Sequence, residues 1–229
     1  MVTPDRDPDS ERHVLGEPRW PIALAILFLL ALTVTFDLIL PHRQTVGTVW
    51  LMPSIGAVLL VVLLAADPVS VKRHASWLRR VSAVLLGLLA AAAVYLTVAL
   101  AVELIEGENL ASSGKELLAS GALVWLGNNV VFALLYWQFD GGGALARLEH
   151  PRPYPDFSFP QHQNPELAPP GWRPRFGEYL YLGLTNATAF SPTDVMPLAG
   201  WAKVTMALQS LISLVVFTLV IATAVNVLS

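Results

Sequence analysis

Long apolar runs, parted by short segments that hold nearly all the charge, constrain this chain more than any other feature. A bilayer core of roughly 30 Å is crossed by about 20 apolar residues in a helix. Trp20–Leu40, Thr45–Ala66, Arg80–Val102, Leu117–Gln138 and Trp201–Leu228 all reach that length. Helices are the expected form, because each satisfies its own backbone hydrogen bonds within lipid, and the alternation of a membrane barrel is absent. Composition agrees, with 55% hydrophobic and 14% charged residues where a soluble domain carries about 25% charged. The fold class expected is an all-α polytopic transmembrane helix bundle, whose one constant partner is the lipid bilayer.

The connections add direction. Pro41–Gln44 is a short hairpin, Asp67–Arg79 is basic, Glu103–Glu116 is acidic, and Phe139–Pro174 is rich in proline and contains Gly141–Gly143. With the N-terminus inside, twelve Lys and Arg residues fall on the cytoplasmic side and only Arg43 and Lys115 outside. That bias predicts a cytoplasmic N-terminus in a cell inner (plasma) membrane. The first run reads as an uncleaved signal anchor, since a cleaved leader has a shorter core and a small-residue cleavage site. The organisation expected is a cytoplasmic tail over residues 1–19, a four-helix region over 20–138, a proline- and glycine-rich cytoplasmic loop over 139–175, and a final unit over 176–229.

Phe176–Phe190 is apolar and helix-compatible, yet too short to span comfortably. A re-entrant or interfacial half-helix is the natural form, with a sixth short span as the alternative. It leads through Ser191-Pro192-Thr193-Asp194 into the last span, and short helix, polar turn, long helix is the plan of a pore loop. Asp194-Val195-Met196-Pro197 resembles the Asp-x-x-Pro ending of pore-loop potassium channels, with Thr188 where a filter threonine would begin. Ser191, Pro192 and Thr193 stand where Gly-Tyr-Gly would lie. A carbonyl-lined filter uses glycine's freedom at positive φ, so potassium selectivity is not implied. The charge bias also puts this loop on the cytoplasmic side. The plainer reading makes Ser191 or Thr193 a helix cap, with Asp194 favourable at the helix N-terminus.

Polar residues within the spans are the remaining candidates. Thr205, Gln209 and Ser213 form a stripe on the last span, with Thr223 close to it. Such a stripe lines a hydrated path or bonds to neighbouring helices. Asn128 and Asn129 sit at the middle of the fourth span and either coordinate a cation or water or bond adjacent backbones. Asp37 is the one carboxylate well inside a span, placed to act within the membrane or to pair with Arg43. His150, Asp156 and His162 lack metal-ligand spacing, so neither metal nor cofactor is expected. Asn186-Ala-Thr188 matches a glycosylation sequon inside an apolar segment and reads as accidental. The chain has no cysteine and a net charge of −3, which leaves no thiolate chemistry and no basic footprint for nucleic acid. Without a hydrolase or phosphate-binding motif, an enzyme is not expected; the weak enzymatic alternative would use Asp37 or Asp194 as base.

YWQFDGGGALAR (Tyr136–Arg147), DFSFPQ (Asp156–Gln161), WRPRFGEYLYL (Trp172–Leu182), TNATAFSPTDVMPL (Thr185–Leu198) and AVNVL (Ala224–Leu228) form an ordered series. The series resembles an uncharacterised family of bacterial polytopic membrane proteins with an AFSPTD signature, distantly similar to pore-loop ion channels. The resemblance spans about residues 120–229 and implies a bacterial inner-membrane protein with no catalytic residue. It also implies that the proline-rich connector is ordered, since Phe157, Phe159 and Trp172 are large apolar groups for a loop. A channel-like or transport-related protein is expected, using Thr188, Ser191, Thr193, Asp194, Gln209 and Ser213, with a small cation and further copies of the chain as partners. A non-conducting accessory or scaffold protein, docking through the proline-rich loop, is the alternative.

Overall fold

The computed structural model describes residues 20–39, 54–58, 61, 75–106, 114–143, 146–147, 154–189 and 194–228. Its long helices are α1 (Trp20–Ile39), α2 (Ala75–Glu106), α3 (Gly114–Phe139) and α6 (Gly200–Leu228), with α4 (Pro160–Gln163) and α5 (Phe176–Ala189) between α3 and α6. These helices coincide with the first, third, fourth and fifth apolar runs and with the half-helix. Most of the run Thr45–Ala66 lies outside the described residues. Among the described residues, two helices are long and apolar enough to cross a membrane, one in α3 and one in α6.

Helix α3 is the axis of the bundle. It packs against α1, α2, α5 and α6, and every residue from Asn128 to Gln138 is buried. A helix that is apolar all round belongs in such a place, because no side of it gains from facing water. The outer helices are apolar on their exposed faces too, as Leu24, Phe28, Val204, Leu211 and Phe217 show. Exposed apolar surface that continues around a bundle suits contact with lipid or with further protein.

Small residues set the helix separations. A Cβ on Gly121 of α3 would come within 2.4 Å of the Val220 side chain on α6, so the glycine lets those helices approach closely. Val220 of α6 thus lies beside the start of α3. At the other end of α3, the rings of Phe139 and Trp201 are 5.9 Å apart. Helix α6 therefore runs antiparallel to α3. So does α5, whose Phe176 meets Trp137 at 6.5 Å and whose Gly183 lies against Asn129.

Two helices each antiparallel to α3 are parallel to one another. Helices α5 and α6 begin at the same end of the bundle, so α5 goes in and the chain returns to that end before α6 starts. With 14 residues, α5 is about 21 Å long, well short of a membrane crossing. Helix α5 is thus a short helix laid along α3 whose start lies beside that of α6.

The proline-rich connector caps the end where α5 and α6 begin. Its strand β1 (Phe157–Ser158) pairs antiparallel with β2 (Met196–Pro197), Phe157 opposite Pro197 and Ser158 opposite Met196. The backbone N–H of Leu198 extends the ribbon by donating to the Asp156 carbonyl at 2.8 Å. This short ribbon is a small addition to an otherwise helical fold. Its inward residue, Phe157, is fully buried and meets Tyr136 of α3, Tyr179 of α5 and Trp201 of α6 at 5.3, 6.4 and 5.5 Å. Phe159 packs on Tyr179 and Trp172. The connector is held by aromatic contacts, which explains large apolar groups in a stretch whose prolines forbid long helices.

Candidate functional site

Helices α3, α5 and α6 meet around a buried polar network. Gln209 is 0% exposed and sits at its centre. Its Oε1 accepts the Tyr136 hydroxyl at 2.7 Å and the Asn186 Nδ2 at 2.8 Å. Its Nε2 donates to the Gly183 carbonyl at 3.0 Å. Asn186 Nδ2 also reaches the Met206 carbonyl, while the Ser210 hydroxyl donates to the Asn186 side-chain and backbone oxygens. One amide thereby links all three helices. Polar groups held away from water are tolerated because they satisfy one another.

Asn129 and Gly183 form the second close contact. A Cβ at position 183 would stand 2.6 Å from Asn129 Oδ1 and 3.3 Å from the Asn129 backbone oxygen. That Oδ1 is buried without a conventional hydrogen-bond partner, and the Cα–H of Gly183 faces it. Such a C–H···O contact is a weak bond typical of closely packed helices. Gly183→Ala should cost about 1–3 kcal/mol through overpacking. Asn129→Ala in the same chain should recover part of that loss, measurable by denaturant titration in micelles. Equal stability of Gly183→Ala and the parent would show that the contact is looser than described.

The sequence candidates are distributed unequally around this network. Gln209 belongs to it, whereas Ser213, one turn deeper, is buried. Asn128 lies on a different side, its Nδ2 donating to Thr97 Oγ1 of α2 at 2.9 Å. Thr188 is exposed on α5 and its hydroxyl returns to the Leu184 carbonyl at 2.9 Å. Asp194 is exposed at the end where α5 begins. Its charge acts on Glu178 in the first turn of α5: partial burial, and then Asp194, push the Glu178 carboxyl above the ordinary carboxylate range. Ser191 and Thr193 lie outside the described residues, as do His150 and the side chains of Asp37 and Thr223.

Sequence reasoning missed three contributors. Tyr136, near the end of the fourth apolar run, is fully buried, with its hydroxyl on Gln209. Asn186 reads as an accidental sequon and is a network member. The third is a cluster just past α3, where Gly141, Gly142 and Gly143 all adopt positive φ. That turn swings Arg147 back, so its Nη1 donates to the Trp137 and Asp140 carbonyls at 2.8 and 2.7 Å. A cation there satisfies carbonyls left open at a helix C-terminus. The same guanidinium lies 5.2 Å from the Tyr179 ring centroid. Asp140 accepts the Tyr179 hydroxyl on Oδ2, and Asp156 Oδ2 accepts the Gly141 N–H at 2.8 Å. His162 Nδ1 accepts the Phe159 N–H. Partial burial draws its imidazole below the ordinary histidine range, opposed by Asp140 and by the Phe157 backbone. The run of three glycines next to an aspartate at a span's end was the signal for this cluster.

Among the described residues, no group of three or more His, Cys, Asp or Glu side chains is disposed to hold a metal ion. Comparison with family models, curated proteins and solved structures finds no match to the chain.

Proposed function

We propose that the chain is a five-span protein of the bacterial inner membrane, with its N-terminus cytoplasmic, and that α5 with the return to α6 is a channel-like or transport-related element. The observation that carries this reading is the common starting end of α5 and α6. Irregular backbone at membrane depth is tolerated only when buried in protein or lining a water-filled cavity. Leu180, Tyr181, Leu184 and Thr188 leave the outer face of α5 exposed in a single copy. A homo-oligomer would cover that face and enclose a path between copies.

The path in this reading runs along Tyr181, Thr185 and Thr188, not through the bundle. Helix α3 fills the bundle axis, and Gln209 is already committed to Tyr136, Asn186 and Gly183. Asp194 and Glu178 would supply negative charge for a small cation at the entrance. Residues 191–193 contain no glycine, which supports a path without potassium selectivity. The series ending in AFSPTD, with its resemblance to pore-loop proteins, agrees with this layout.

Purified protein in liposomes, tested with several monovalent cations, should conduct. Asp194→Asn and Thr188→Val should each lower the flux several-fold. Liposomes that stay tight to every cation would end the channel reading. They would favour the second one, an accessory or scaffold protein, which the self-satisfied Gln209 network supports. In that case the exposed Tyr154 and Leu167 of the connector, 82% and 66% accessible, are the surface to substitute in partner co-purification.

A further inference from the structure

The connector presents two unlike surfaces. Along β2 the side chains alternate, as a strand requires: Val195 is buried, whereas Met196 and, just past the strand, Leu198 are 57% and 48% exposed. Phe139, the last residue of α3, and Val204, in the second turn of α6, are exposed at the same end. The Phe139 ring lies 5.9 Å from that of Trp201. The backbone here asks little of water. Pro197 has no N–H, and the Asp156 carbonyl accepts the N–H groups of Leu198 and Ala199 at 2.8 and 3.3 Å. The α4 side of the connector is polar instead, with His162, Gln163, Asn164 and Glu166 all exposed.

Helix length sets the height of the apolar side. The apolar stretch Gly200–Ala222 has 23 residues, about 34 Å at the α-helical rise. A hydrocarbon core is roughly 30 Å thick, and the headgroup layers bring a bilayer to about 40–45 Å. Gly200 then stands at the edge of the core. Met196 and Leu198, just before α6 begins at Gly200, fall in the headgroup layer, where tryptophan is also favoured. Their surface continues into the face of α6 that carries Val204, Leu208 and Leu211, which recur at helical spacing. That continuity points to lipid as the partner.

We propose that Met196 and Leu198 make the β1–β2 ribbon a membrane-interface anchor. They lie in the headgroup layer of the leaflet where α5 and α6 begin, beside Phe139 and Trp201, while α4 and the turn after it face water. This inference rests on the reading of α3 and α6 as membrane spans and adds the depth at which the connector is held. A soluble partner of the connector is thereby confined to its α4 side.

The chain has no cysteine, so single nitroxides can be placed by Met196→Cys, Leu198→Cys, Gln163→Cys and Leu211→Cys in the full chain in liposomes. Deeper in a bilayer, a label collides more with dissolved oxygen and less with a water-soluble nickel chelate. The label at position 211 should be several-fold less open to nickel than that at 163, and those at 196 and 198 should fall between them. Either of the two as open to nickel as position 163 overturns the anchor. Closure to oxygen and nickel together overturns it too, because that marks cover by a second copy or another protein. A label at 163 as closed to nickel as those at 196 and 198 removes the two-sided connector. Each position decides by itself, so a variant that does not fold leaves the other to decide. A nickel-open label at 211 removes the membrane reading and the anchor with it, whereas a nickel-closed one makes the remaining outcomes bear on the anchor alone.

Discussion

Phe157→Ala should destabilise the protein by about 3–5 kcal/mol, the range for deleting a fully buried aromatic ring. The cost is high because one ring contacts three helices: Tyr136 on α3, Tyr179 on α5 and Trp201 on α6. Those neighbours belong to different elements, so they cannot all collapse inward without moving the helices that carry them. The β1–β2 ribbon positions the ring, and its loss should also loosen the starts of α5 and α6. Unfolding in a denaturing detergent series, followed by tryptophan fluorescence, measures both effects. Tyr154→Ala provides the comparison, because its side chain is exposed and such surface changes stay within about 0.5 kcal/mol. Equal losses in the two variants would show that Phe157 is not a keystone.

Gln209→Leu should cost about 3 kcal/mol. Leucine fills similar space but leaves the Tyr136 hydroxyl, one Asn186 contact and the Gly183 carbonyl short of partners. Each buried orphan costs about 1–3 kcal/mol, and interhelical bonds within membranes sit at the lower end, about 0.6–1.7 kcal/mol. A double-mutant cycle gives the sharper test. Tyr136→Phe removes the hydroxyl that Gln209→Leu orphans, so the double variant should be less destabilised than the sum of the singles. Strict additivity would mean that the bond contributes nothing. A Gln209→Leu protein of parental stability would instead favour a hydrated role for the glutamine, as the polar stripe alone allows.

The sequence made the helices legible and their neighbours obscure. Trp201–Leu228 predicts α6 within one residue, because a long apolar run has one satisfactory conformation in lipid. The fifteen residues of Phe176–Phe190 exclude a comfortable crossing by length alone, which narrows the choice without making it. Gln209 is marked by its polarity, but polarity does not name a partner. Its partners, Tyr136 and Asn186, lie 73 and 23 residues away, and nothing local to either one points to the other. Asp140 was hidden for a similar reason: its tie to Tyr179 crosses 39 residues, and a carboxylate at a span's end normally faces water.

What the sequence determined by itself is a helical fold with helices long and apolar enough to cross a membrane, through the one-dimensional physics of helix length and apolar burial. Each of those quantities belongs to a segment taken alone. The tertiary structure decided that α5 starts beside α6, that α3 fills the axis, and that Gln209 of α6 meets Tyr136 and Asn186 rather than water. Those outcomes depend on which faces meet, and so on close approaches at Gly121 and Gly183 and on one ring, Phe157, shared by three helices. Packing is a property of pairs and triples of segments, and a single chain read in order does not contain it.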